Sequence, residues 1–265
     1  MRVALLQFAA SQDKAENLAT IRELARRAAP SEPDLVVCPE ASMYDFGAAD
    51  APLAPAAEPV DGPFVSALAD LAGELGAVVV AGMFETAGDA DRAYNTVVAV
   101  TPDGTLAGAY RKIHLYDAFG FRESDRLIAG DDCCVIEVGG LRWGLVTCYD
   151  LRFPELGRAL VDAGAQALVV PAAWVHGPLK EDHWTTLVRA RAIENTCYVA
   201  AAAQCGPSYS GRSMLVDPMG VVVTSLGEQV GVCVGDVEPE RIAEVRRRNP
   251  TLAHRRFRVA PRDVS

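Results

Sequence analysis

Three short stretches hold residues that can do covalent chemistry. In Val36-Val37-Cys38-Pro39-Glu40 a carboxylate directly follows an apolar run. Where helices cover a sheet, ligands gather at strand ends, and a glutamate placed there can serve as a base. The second stretch is Tyr110-Arg111-Lys112-Ile113-His114-Leu115. On a strand, Lys112 and His114 share one face, and Arg111 and Ile113 the other. A lysine turned into a cleft requires a carboxylate partner, because lysine is almost never buried unpaired. The third stretch runs from Gly144 to Glu155, where a strand ends at Cys148 and a helix signal starts near Pro154. Strand–turn–helix geometry exposes a nucleophile at the top of a sheet. Cysteine attacks as the thiolate, from a free pKa of about 8.5, so it needs a cation to lower that value or a base to take the proton. Each stretch alone has a plainer reading: a solvated loop glutamate, a lysine guarding an edge strand, a packing cysteine. Together they supply nucleophile, base and cation, the set that cysteine acyl transfer needs without histidine.

The elements that position these residues follow from the apolar pattern. Strands are predicted over 3–8, 35–38, 77–84, 95–101, 106–113, 133–138, 142–147, 167–170, 197–203, 213–216, 221–225 and 232–237. Helices are predicted over 14–29, 64–75, 154–163, 180–195 and near 239–247, with Gly76 closing the second. Hairpins mixed with strand–helix–strand units imply mixed sheets covered by helices. No linker or repeat divides residues 1–265, so a single domain is expected.

Composition narrows the function. With 25 basic and 35 acidic residues the formal net charge is −10. That balance argues against nucleic acid and against an anionic membrane surface. No apolar run reaches the ~18 residues of a membrane span, and the N-terminus lacks a signal-peptide pattern, which points to the cytoplasm. Seven cysteines, an odd number without CxxC spacing, argue against a disulfide framework or structural zinc. Four histidines, with no HExxH and no GxSxG, leave little for a zinc or serine hydrolase. The adjacent Cys133 and Cys134 read as opposite-facing packing residues on a strand, and Arg191 with Glu194 as a structural ion pair on a helix.

Taken in order, the motifs VVCPEAS, YRKIHL and TCYDLRFPE resemble the Glu-Lys-Cys signature of the nitrilase-like carbon–nitrogen hydrolase superfamily, over essentially the whole chain. The resemblance implies an α/β fold, a four-layer αββα sandwich, paired into a homodimer or higher homo-oligomer. It implies no metal and no organic cofactor. It makes Cys148 the nucleophile, Glu40 the base, and Lys112 with the backbone N–H of Tyr149 the oxyanion donors. Glu123, in Gly120-Phe121-Arg122-Glu123-Ser124, matches a further family glutamate that orients Lys112 and the substrate amide. The reaction implied is hydrolysis of a small amide by water through a thioester.

Finer features point within the superfamily. Tyr149 stands where nitrilases carry tryptophan, which disfavours nitriles. The runs CYDLRFPEL and AAAQCG are similar to the deaminated-glutathione amidase and omega-amidase branch, whose substrates are acidic keto-acid amides. A cation is therefore expected in the pocket, with Arg152, Lys180 and Arg212 as candidates and Phe84 or Trp174 as walls. The loop at 206–213 is shorter than in that branch, and Arg212 replaces a histidine. The alternatives are an N-carbamoyl amide hydrolase, distinguished by carbon dioxide release, and a catalytically silent binding or scaffold homologue, against which the intact Glu40, Lys112, Glu123 and Cys148 speak.

Overall fold

Residues 3–6, 35–38 and 77–84 are buried almost without interruption, as parallel strands covered on both faces must be. The computed structural model describes residues 1–260. Its strands are β1 (Arg2–Gln7), β2 (Leu35–Val37), β3 (Val78–Thr86), β4 (Ala93–Val100), β5 (Leu106–Arg111), β6 (Leu127–Ile128), β7 (Val135–Val138), β8 (Leu141–Leu145), β9 (Ala167–Ala172), β10 (Tyr198–Ala203), β11 (Met214–Val216), β12 (Val222–Ser225) and β13 (Gly231–Asp236). The helices are α1 (Lys14–Ala28), α2 (Pro63–Leu75), α3 (Pro154–Asp162), α4 (Lys180–Asn195) and α5 (Pro239–Arg248).

Two sheets form. One runs β13-β1-β2-β3-β4-β5, with β6 beside β4; the other runs β12-β11-β10-β9-β8-β7. Each has three parallel strands at its centre, β1-β2-β3 and β8-β9-β10, flanked by antiparallel neighbours. Side-chain alternation assigns the layers. Val3, Leu5, Leu35, Val37, Val78 and Val80 share one core with Trp143 and Leu145 of the second sheet. Their neighbours Ala4, Leu6, Val36 and Val79 pack instead with Ile21 and Leu24 of α1 and Phe64 and Leu68 of α2. Leu156 and Leu160 of α3 and Trp184 and Val188 of α4 cover the second sheet. The result is the αββα sandwich. Local chemistry sets the helix ends: Asp13 accepts from the N–H groups of Ala15 and Glu16, and Gly76 closes α2 at φ 63°.

Four departures from the expected elements bear on the site. The strand expected over 106–113 stops at Arg111, because β6 takes the edge of β4 opposite Ala93 and Tyr94. Lys112 is thus the first residue past the strand, held by its N–H to the Asn95 carbonyl at 2.8 Å. The strand expected from 133 begins at Val135, so Cys133 and Cys134 precede it, the first exposed and the second half-buried. The third strand runs on to Thr86, where buried Glu85 accepts from Arg111. Short 3₁₀ turns at Glu123–Asp125 and Cys148–Arg152 are too brief for any periodicity to reveal. All seven cysteines are free thiols. Among the described residues no helix is long and apolar enough to cross a membrane.

Gly82 of β3 is where the fold touches the chemistry. A Cβ there would lie 2.6 Å from the Ala41 nitrogen and 2.7 Å from the Glu40 Cα. Gly82→Ala should destabilise the chain by about 1–3 kcal/mol and displace Glu40, so activity falls even where the protein is folded. Urea denaturation with assays below the transition checks this; an unchanged midpoint and rate would show that the Glu40 loop gives way freely.

Candidate active site

Glu40 lies three residues past β2, with its carboxylate 1% exposed. Its Oε1 accepts from Lys112 Nζ at 3.0 Å and Asn95 Nδ2 at 2.7 Å. Its Oε2 accepts from the Ala173 N–H at 2.7 Å, just past β9. Gln204, just past β10, donates Nε2 to the Glu40 carbonyl at 2.9 Å and accepts the Ala10 N–H at 2.8 Å. Loops of both sheets thus converge on one carboxylate. Lys112, 2% exposed, also donates to both oxygens of Glu123, at 3.0 and 2.9 Å. The Tyr116 N–H holds Glu123 Oε2 at 2.6 Å. The lysine therefore has the carboxylate partner its burial requires, twice over.

Cys148 follows β8 at φ 45°, a left-handed conformation unusual for cysteine. It opens the 3₁₀ turn, whose first N–H groups, Tyr149 among them, have no acceptor inside the turn. Asp150 locks this strained corner. It accepts from Tyr110 Oη at 2.7 Å, the Thr147 N–H at 3.0 Å, and the His114 N–H and Nδ1 at 3.0 and 2.7 Å. The His114 ring stacks on Phe153 at 3.7 Å. From α4, Arg191 donates Nε and Nη2 to the Leu151 carbonyl while Nη1 pairs with Glu194 at 2.6 Å. The expected ion pair exists, and it also pins the nucleophile turn.

Burial and the cluster's charge together bear on the thiol. Two carboxylates and one ammonium leave one buried negative charge. Burial would lower the Lys112 pKa, but Glu123 and Glu40 hold it well above the usual lysine range. Burial and the nearby Glu40 charge raise Glu123 against the pull of Lys112. Burial first, then the Glu40 charge, push the Cys148 thiol well above its ordinary value, with Lys112 opposing. Lys112 is shared by two carboxylates, so of the two routes open to the cysteine the base is favoured over the cation. Burial and the Glu40 charge favour the protonated thiol, in the same cavity as a carboxylate that can take its proton, an arrangement for general-base activation.

Glu40, Lys112, Glu123, Cys148 and Tyr149 line one cavity of about 330 Å³, together with Trp174 and Lys180. That volume suits a small molecule. The 206–213 loop borders it through Pro207, Ser208 and Tyr209, whose hydroxyl donates to Asp45 at 2.8 Å. Two expected substrate contacts lie elsewhere. Arg212 faces a separate shallow depression, pairs with Glu228 at 3.2 Å and gives its carbonyl to Trp184. Arg152 sits outside the lining, its guanidinium 4.8 Å from the Trp174 ring centre and its Nη2 3.4 Å from His183 Nδ1. Phe84 is core, edge-on to Phe46 at 5.1 Å. Sequence reading passed over Asn95, Asp150 and Gln204. The signal for Asn95 and Gln204 was an uncharged polar residue interrupting an apolar run, since a buried amide must find partners.

The carbon-nitrogen hydrolase family model matches residues 2–247. The chain is 42% identical to a hydrolase of Mycobacterium tuberculosis, covering 95% of this chain and 94% of the relative. It is 40% identical to the deaminated glutathione amidase of Escherichia coli O157:H7, covering 97% and 98%. Among solved structures it matches a Xanthomonas campestris superfamily protein that carries an arsenic adduct in its active site, at TM-score 0.89 and 30% identity, covering 98% and 99%.

The charge argument sets the pH behaviour of Cys148. Its alkylation by iodoacetamide, followed by peptide mass spectrometry, should have a midpoint above the ~8.5 of a free cysteine. Glu40→Gln removes the buried negative charge, so the midpoint should move down even as hydrolysis collapses. A wild-type midpoint below about 7 would mean a resident thiolate.

Proposed function

Since the chain belongs to the carbon–nitrogen hydrolase family and is a hydrolase of amide carbon–nitrogen bonds, we propose that it works through Cys148 and a thioester on a small linear amide bearing a carboxylate. The observation that carries this reading is that Cys148 lines the same cavity as a buried Glu40 carboxylate that also binds Lys112 and, through it, Glu123. Cys148 Sγ attacks the amide carbonyl as Glu40 takes the S–H proton. The oxyanion forms toward Lys112 Nζ and the Tyr149 N–H. On collapse the C–N bond breaks, and Glu40 passes its proton to the departing ammonia or amine. Water then gives a proton to Glu40 and attacks the thioester; the C–S bond breaks, and the thiol regains the proton as the acid leaves.

Glu123 keeps Lys112 aimed, and Asn95 braces both carboxylates, its Nδ2 2.7 Å from Glu40 and 3.4 Å from Glu123. The substrate class follows the E. coli relative, named for deaminated glutathione. The proposal extends to the cytoplasm, where seven free thiols stay reduced, and to a homodimer. Exposed Met219, Val221, Val222 and Val223 next to Ile193 of α4 support the pairing.

Ammonia or amine release from deaminated glutathione, 2-oxoglutaramate, an N-carbamoyl amino acid and a simple nitrile tests the reading. Wild type should cleave an acidic amide, Cys148→Ala should be silent, and Lys112→Met should lose ~10²–10³ in kcat. Near-wild-type turnover by Cys148→Ala would overturn the mechanism. Carbon dioxide beside ammonia from the carbamoyl substrate would move the assignment to that class. Light scattering after gel filtration should give twice the chain mass, and Val222→Asp should halve it; a wild-type monomer removes the dimer.

A further inference from the structure

Lys180 is a buried cation that the triad chemistry does not use. It opens α4 behind Leu179, which caps the helix at φ 58°. It is 5% exposed. Its Nζ donates to Tyr116 Oη at 3.1 Å and lies 4.8–5.0 Å from the ring centres of Tyr116, Phe119 and Trp174. Its backbone carbonyl accepts from Trp174 Nε1 at 2.7 Å, fixing that ring beside it. Yet among the described residues no carboxylate pairs with this ammonium. The adjacent Glu181 is taken by His176 at 2.8 Å.

Every local rule opposes such a residue. A lysine in the first helical turn meets the positive end of the helix dipole. A buried charge without a counter-ion is costly, and aromatic faces offset only part of that. Burial accordingly lowers the Lys180 pKa, with the Arg152 guanidinium adding to the effect. Arg152 lies over the same Trp174 ring, 4.8 Å from its centre, so two positive groups crowd one indole.

Of the other cations lining the cavity, only Arg126 lacks a carboxylate partner among the described residues; its Nη1 meets the backbone carbonyls of Phe46, Ala48 and Ala51, and its buried Nε has no partner. Lys112 is held by Glu40 and Glu123. Arg122 is exposed near Asp125, and His176 has Glu181. Lys180 therefore presents a positive charge with two of its three N–H donors unspent, inside the cavity that holds Cys148.

We propose that Lys180 is the specificity residue of this site: its ammonium receives the carboxylate of the amide substrate, screened by Tyr116, Phe119 and Trp174. This rests on the amidase reading and deepens it. Of the three cations suggested by the sequence, Lys180 alone combines cavity position with an unanswered charge.

The test compares glutaramate with its neutral isostere glutaramide, and measures glutaramate binding to the inactive Cys148→Ala chain by calorimetry. Wild type should prefer glutaramate in kcat/KM. Lys180→Gln should lower that preference at least about 10-fold, the scale of a charged hydrogen bond, with the loss in KM rather than kcat. Glutaramate should bind Cys148→Ala/Lys180→Gln correspondingly more weakly than Cys148→Ala, and Lys180→Arg, which keeps the charge, should restore most of the preference. An unchanged preference in Lys180→Gln overturns the assignment and leaves the amidase reading standing. An equal kcat loss on both amides would make Lys180 an electrostatic partner of the thiol, also overturning it. Turnover persisting in Cys148→Ala would sink the mechanism instead, while calorimetry still decides Lys180. No glutaramate binding to Cys148→Ala would also overturn the proposal.

Discussion

Lys112, shared between Glu40 and Glu123 at 3.0 and 2.9 Å, is the interaction on which the site depends. Three ionised groups out of water carry a desolvation cost that apolar packing would avoid. The cluster is thus poor evidence for stability and good evidence for chemistry. Burial and its surplus negative charge together push the Cys148 thiol up, and under the proposed mechanism Glu40 is the group to which the thiol proton goes. Removing Lys112 would leave two buried carboxylates unanswered, and supporting hydrogen bonds from Asn95, Ala173 and Tyr116 hold the surplus charge in place.

The sandwich supplies the place for this cluster. Both sheets have parallel centres, and the carboxyl ends of those strands meet at one edge. Glu40 follows β2, Cys148 follows β8, Ala173 follows β9 and Gln204 follows β10. Ligands collect at such strand ends because the loops are free of the sheet's pairing while the strands hold them rigidly. Gly82 permits the closest approach, letting β3 run against the Glu40 backbone. On the other side, Asp150 and Arg191 grip the turn that carries Cys148, which lets a non-glycine residue persist at positive φ.

Lys180 shows how a site can be tuned without altering its reactive groups. It comes from α4, whose Arg191 pins the nucleophile turn. One helix thereby fixes the geometry of Cys148 at its far end and projects a cation into the cavity at its start. Specificity and reactivity are linked through a rigid element rather than through a loop.

The amino-acid sequence by itself determined the order of helices and of every strand but β6, and the mixed character of the sheets, and it offered Cys148, Glu40 and Lys112 as candidates. Those properties are written in local apolar periodicity and in residue type at strand ends, as at Val36-Val37-Cys38-Pro39-Glu40. Boundaries were less legible. The early end of β5 depends on β6, a two-residue strand far along the chain that takes the edge of β4. Only the tertiary structure decided which cation faces the pocket. Arg152, Lys180 and Arg212 are equally charged on paper, but Arg212 turns to Glu228, Arg152 lies outside the cavity lining, over Trp174, and Lys180 enters the cavity. It likewise decided the state of the thiol. Proximity of Lys112 lowers the thiol pKa, but burial first, and the Glu40 charge next, outweigh it. Charge balance in a buried cluster is a property of three-dimensional neighbours, because desolvation and Coulomb terms depend on distance in space and not along the chain.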